Sequence, residues 1–184
     1  MPPIQRSLLR SGLLALLLAL ACLPLPRPAW ADEWSVGEAP GGDEPGKAAT
    51  TTNADGETLY IWAKHLEDRS LIFAELHLSE GDEFAGRMPS YRIDDGPLID
   101  TEMVRREGEK QGSLWGFVAG RASFWLLWSS NSPTVDATDH LAKWMEGKAL
   151  RVTYQDSDGS QRIATFDLDG ARSAIETATG VKMQ

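Results

Sequence analysis

The stretch "RVTYQDSDGSQRIATFDLDGARSAIE", from Arg151 to Glu176, sets two alternating apolar runs on either side of an aspartate- and glycine-rich segment. Side chains alternate across a strand, so Leu150, Val152 and Tyr154 share one face while Arg151, Thr153 and Gln155 share the other. Beyond the segment, Ala164, Phe166 and Leu168 line one face of a second strand. The connecting loop must bring the two apolar sets together, because a one-residue slip turns one of them to solvent. A tight Asp158-Gly159 turn would set Leu150 opposite Asp167 and Val152 opposite Thr165, pressing a carboxylate against leucine. A loop of Ser157-Asp158-Gly159 instead sets Leu150 opposite Phe166 and Val152 opposite Ala164. It also gives Gly159 the positive-φ position of a type I turn followed by a G1 bulge. The second register is the expected one.

Downstream, Asp169-Gly170 precedes "ARSAIETA", in which Ala171, Ala174, Ile175 and Ala178 recur at helical spacing before Gly180. This predicts a short helix with Asp169 as its N-cap, stabilised mostly by docking of its small apolar stripe. A calcium loop is the sharper alternative: with Gly170 at loop position 6, Asp167, Asp169 and Glu176 fall at positions 3, 5 and 12 of an EF-hand. Position 1 would then be Thr165, inside an alternating strand with no entering helix before it. Turn and cap are therefore expected in place of a cation site, and no metal ligand or cofactor is assigned.

Working outward, "ETLYIWAK" and "SLIFAELHL" read as two strands joined by "HLEDR". Ile72, Ala74, Leu76 and Leu78 share one face of the second, Phe73, Glu75 and His77 the other. "SYRIDDGPLID" gives short extended pieces around an Asp95-Gly96 turn. "SLWGFVAGRASFWLLWSS" gives two more strands around Gly120-Arg121, with Phe124, Leu126 and Trp128 on one side and Trp125 and Leu127 on the other. "DATDHLAKWMEG" predicts a helix with Asp136 as N-cap, Asp139 in its first turn, Leu141, Trp144 and Met145 on one face and Gly147 as its stop. Residues 35–56, rich in Gly, Pro, Asp and Thr, read as an exposed loop or arm after Trp34. The expected fold is mainly β: an antiparallel β-sandwich-like domain with two short helices in the C-terminal third.

At the N-terminus, Arg6 and Arg10 precede an apolar run from Leu13 to Leu23 and an Ala29-Trp30-Ala31 site, the layout of a secretory signal peptide. The run is too short for a spanning helix, which needs roughly 20 apolar residues. Cleavage is expected after Ala31, leaving Asp32 first. The alternative is a lipoprotein anchored at Cys22, since "LALAC" resembles a lipoprotein box. The resulting division is a signal peptide over 1–31, an N-terminal strand and flexible loop over 32–56, and a β-rich domain over 57–184. Cys22 is the only cysteine, so a chain cut after Ala31 has no thiol for disulfides, metal binding or nucleophilic catalysis. The leader holds Arg6, Arg10 and Arg27 and no acid. The 18 basic and 27 acidic residues of the whole chain thus become 15 and 27, a net charge of −12. Such a balance argues against nucleic acid and anionic lipid surfaces as partners.

Catalytic signatures are sparse. His65, His77 and His140 have no metal-ligand spacing among them, and G-x-S-x-G, H-E-x-x-H and both glycine-rich phosphate loops are missing from the sequence. Asp136 and His140 are four apart, a spacing better read as a cap beside a first-turn histidine. Carboxylates are numerous enough that a glycosidase-type pair remains an alternative, with no pair to nominate. Trp34, Trp62, Trp115, Trp125, Trp128 and Trp144 follow the leader, and core filling is their main expected role. Trp125 and Trp128 are the binding candidates, because they sit on a strand with apolar residues on both faces.

Three features resemble small exported bacterial proteins of the invasion-associated locus B type and similar accessory proteins of type VI secretion. They are Trp34 just after the leader, "YRIDDGP" at 91–97 and "HLAKWMEGKALRVTYQDSDGSQRIATFDLDGARSAI" at 140–175. The last combines a helix, a G-x-x-L-R-V strand, a D-G turn and F-D-L-x-G-A leading into an alanine-rich helix. The resemblance implies a periplasmic or surface β-sandwich with an accessory role and no catalytic residues to carry over. The expected function is therefore non-enzymatic: binding a protein or envelope component, or supporting an envelope or secretion-associated assembly. The alternative is a small exported hydrolase or carbohydrate-binding module using exposed tryptophans and carboxylates.

Overall fold

The computed structural model describes residues 33–40, 46–85, 87–101, 117–118, 121–130, 132–137 and 140–184, with backbone pairing only for 117–118 and 121–130. In chain order the strands and helices are β1 (Ser35–Glu38), β2 (Lys47–Thr52), β3 (Thr58–His65), β4 (Ser70–His77), β5 (Ser90–Ile93), β6 (Ile99–Asp100), β7 (Phe117–Val118), β8 (Arg121–Ser130), β9 (Thr134–Val135), α1 (His140–Glu146), β10 (Ala149–Gln155), β11 (Gln161–Asp167), α2 (Ala171–Thr179) and β12 (Lys182–Met183). One sheet has the order β1-β2-β3-β4-β8-β7 and a second the order β11-β10-β5-β6, all antiparallel; β12 and β9 form a short parallel pair. The fold is mainly β, sandwich-like, with two short helices in the C-terminal third. Among the described residues no helix is long and apolar enough to cross a membrane.

The β10–β11 hairpin has the register that core alternation demands, with Leu150 opposite Phe166 and Val152 opposite Ala164. Asp156 N–H donates to Ser160 O and Gly159 N–H to Asp156 O, both at 2.9 Å, and Gly159 has φ 87°. Ser157-Asp158-Gly159 is thus the loop, with glycine where φ is positive. The same device joins β2 to β3: Asn53 N–H donates to Glu57 O at 3.0 Å, Gly56 N–H donates to Asn53 O at 3.1 Å, and Gly56 has φ 84°.

Burial draws both sheets and both helices into one core. Ala49, Leu59, Ile61, Ile72, Ala74 and Leu76 supply it from the larger sheet; Tyr91, Leu150, Val152, Ala164 and Phe166 supply it from the smaller. The helices add Leu141, Trp144 and Met145 from α1 and Ala171, Ala174 and Ile175 from α2. Gly147 follows α1 at a close approach. A Cβ there would lie 2.5 Å from Ile93 Cγ2 and 2.7 Å from Lys143 O, so only glycine fits.

Two expectations are corrected. Residues 35–56 hold two strands, β1 and β2, and Ala48 and Ala49 are fully buried. α2 packs on β2, and helix and strand approach closely because both carry small residues, so a strand without large apolar side chains still belongs to the core. Asp169 does not cap α2: the N-cap is Gly170, at φ 84°, with no side-chain cap bond. Ala171 N–H returns to Leu168 O at 3.0 Å, so Asp169 sits exposed in a tight turn and its backbone N–H donates to Asp167 Oδ1 at 2.9 Å. α1 is described from His140 onward; the Asp136 cap and the Asp139 first-turn position depend on residues 138–139, which lie outside the described residues.

Candidate functional site

The two glycine loops meet at one end of the sandwich. In each, the side-chain oxygen of the first residue accepts a backbone N–H two residues on: Asn53 Oδ1 from Asp55 at 3.1 Å, Asp156 Oδ1 from Asp158 at 2.7 Å. These are Asx turns, which hold the loop before the glycine reverses it. Asn53 Oδ1 also accepts Glu57 N–H at 3.0 Å, while Asn53 Nδ2 donates to Glu57 Oε2 at 2.6 Å. The other oxygen, Glu57 Oε1, accepts the Tyr154 hydroxyl at 2.5 Å and so ties the β2–β3 loop to β10. Asn53, Glu57 and Tyr154 are all buried, and Phe84 stands edge-on to the Tyr154 ring at 5.3 Å. Burial, then the bond and charge of Glu57, push the Tyr154 phenol well above its usual 10.0. Every polar atom described in this network has a bonding partner, which marks it as a structural latch.

Beside the latch, on the outer side of the smaller sheet, opens a pocket of about 400 Å³. Strand register creates it. Asp100 pairs with Ser90, Ser90 with Thr153, and Gln155 with Gln161, so short and long hydrogen-bonding side chains from four strands converge on one face. Arg87, from the approach to β5, and Leu98, from the approach to β6, complete the polar and apolar rim. Leu98 and the nearby strand residue Ile163 are the two most exposed large apolar side chains described, at 54% and 58%. No histidine lines the pocket, and its hydroxyls at Ser90 and Thr153 have no imidazole beside them. Among the described residues the lining offers donors, acceptors and one charge of each sign, a set able to recognise a polar ligand.

A second polar group lies on the outer face of the larger sheet. Glu75 is buried on β4, and its Oε1 meets His77 Nε2 at 2.6 Å, while the His77 ring lies 4.8 Å from that of Tyr60. Next to it, Trp62 and Phe73 stack at 4.7 Å. His65 bonds Ser70 at the far end of the same hairpin and His140 opens α1, so the histidines do not converge.

Register sets Trp125 opposite Phe73 and Trp128 opposite Ile72, leaving Leu126 and Leu127 in a bulge between them. The strand alternation read from sequence is therefore interrupted at Leu126. The side chains of Trp125 and Trp128, the two binding candidates, lie outside the described residues. The superficial calcium alignment falls on residues with other tasks. Glu176 Oε1 accepts Arg172 Nε–H at 3.1 Å and Met183 N–H at 3.3 Å, and Asp167 holds the turn before α2.

Sequence reading missed the pocket residues and the Glu57–Tyr154 latch. The usable signal was the repeated D-G at 55–56 and 158–159, which marks two equivalent loops. No protein-family model, curated protein or solved structure matches the chain.

Proposed function

We propose that this chain is an exported, non-enzymatic binding protein that serves an accessory role in a bacterial envelope or secretion-associated assembly. The observation that carries the reading is the pocket of Arg87, Ser90, Asp100, Thr153, Gln155 and Gln161: it collects hydrogen-bonding groups and, among the described residues, pairs no nucleophile with an imidazole base. The signal-peptide layout of residues 1–31 supports the address, and the resemblance to invasion-associated locus B-type proteins supports the role. An acidic surface favours a protein or envelope component over nucleic acid as the partner.

A carbohydrate-binding module is the second reading, favoured by the paired amides of Gln155 and Gln161 beside Asp100, a set able to bond sugar hydroxyls. Affinity capture of the tagged chain from its native envelope fraction separates the two. Enrichment of one macromolecule supports the accessory role. Failure to enrich any, together with thermal stabilisation by a small sugar, refutes it in favour of glycan binding.

A further inference from the structure

We infer that the open edge of β11 is a docking site for an extended cationic peptide strand of a partner protein, taken up antiparallel as an added strand of the smaller sheet. The inference goes beyond the pocket and stands without it.

β11 ends its sheet. The bonds from Asp156 N–H to Ser160 O and from Leu168 N–H to Lys148 O fix which residues of β11 face β10. In an antiparallel ladder the bonding sense alternates, so the backbone groups of Gln161, Ile163 and Thr165 point away from β10 to the open side. All three residues are exposed, and among the described residues nothing pairs with them. Edges are commonly blunted by proline, by a bulge or by cover, and among the described residues Gln161–Thr165 has none of these. The chain itself bounds the opening: Trp34 Nε1–H donates to Asp167 O at 2.8 Å, which closes the edge beyond Thr165.

Charge selects the occupant. Exposed Asp158 stands at the loop end of the open segment and exposed Asp169 at the other. Between them Arg162 is committed to Asp156, its Nε 3.0 Å from Oδ2. A second copy paired antiparallel about Ile163 would bring Asp158 of each chain alongside Leu168 and Asp169 of the other, like charges meeting at both ends of molecules that already carry a net −9. A strand with lysines at its ends and a β-branched residue over Ile163 meets the same edge with opposite charge and matched packing.

The probe is the peptide Lys-Lys-Thr-Thr-Val-Thr-Thr-Lys-Lys, titrated into the full exported chain and followed by amide NMR shifts and hydrogen exchange. Protection confined to the Gln161, Ile163 and Thr165 amides is expected. It should vanish when the peptide's Val nitrogen is methylated, and glutamates in place of the lysines should weaken binding about tenfold. Ile163→Pro should also abolish binding, since that N–H serves no bond within the hairpin. If the proline variant fails to fold, the methylated peptide carries the test. Equal binding of the methylated peptide, or no protection on this edge, overturns the proposal. So does protection of the same amides through self-association without peptide, which would make a second copy the occupant.

Discussion

Replacing Tyr154 with Phe removes one hydroxyl from the point where the two halves of the sandwich are stitched together. The ring stays, and with it the edge contact to Phe84, but Glu57 Oε1 loses its donor at a buried position while Asn53 still serves Oε2. A hydrogen bond to a charged group is worth about 1.5–3 kcal/mol, and the oxygen left behind sits away from water. The expected loss is in that range, which for a domain of this size lowers the melting temperature by roughly 3–12 °C. Urea unfolding followed by tryptophan fluorescence measures it. Glu57→Gln, alone and combined with Tyr154→Phe, separates the pair from its surroundings, with an expected coupling of about 1–2 kcal/mol. A Tyr154→Phe cost below about 0.5 kcal/mol, or a coupling near zero, would refute the latch.

The glycine loops make a second prediction: Gly56→Ala and Gly159→Ala should each cost about 1 kcal/mol, because both positions need positive φ. Gly56→Ala should cost more, since its Cβ would also sit 3.3 Å from Ser79 Oγ; equal costs in chemical denaturation would contradict that difference. Gly147→Ala drives a methyl into Ile93 and the Lys143 carbonyl and should destabilise by about 1–3 kcal/mol, although its loop position alone suggests tolerance. Stability should also fall at alkaline pH. The Tyr154 phenol is raised in the folded state, so its contribution is complete below the usual 10.0 and is lost as pH rises above it, when the unfolded chain ionises first. Urea midpoints from pH 8 to 11 should drop more steeply for the parent than for Tyr154→Phe, and parallel curves would count against the linkage.

The legible parts of the sequence were those where alternation and turn chemistry agree. Leu150 over Phe166 followed from refusing to bury Asp167, and the glycine loop followed from that register. β2 was illegible for the opposite reason. "KAATTT" carries no large apolar residue, and its claim on the core comes from α2 lying against it, a contact far along the chain. Yet Asn53-Ala54-Asp55-Gly56 repeats the loop chemistry found at Asp156, and a second hairpin could have been read from it. Asp169 misled because an aspartate before an alanine-rich helix has the cap signature, whereas Gly170 turns the chain so that no carboxylate is needed there. The pocket needed knowledge of the sheet order, since Asp100, Ser90, Thr153 and Gln161 are separated along the chain and meet only through β5 and β10.

Filling that pocket is the most direct test of the binding role. Thr153→Trp places a large side chain on the outer side of β10, inside the space of about 400 Å³, where a strand tolerates an aromatic. Native-envelope capture with parent and variant, quantified for whichever macromolecule the parent enriches, should show recovery falling at least about tenfold while the melting temperature is kept. Undiminished recovery by the folded variant would contradict the account.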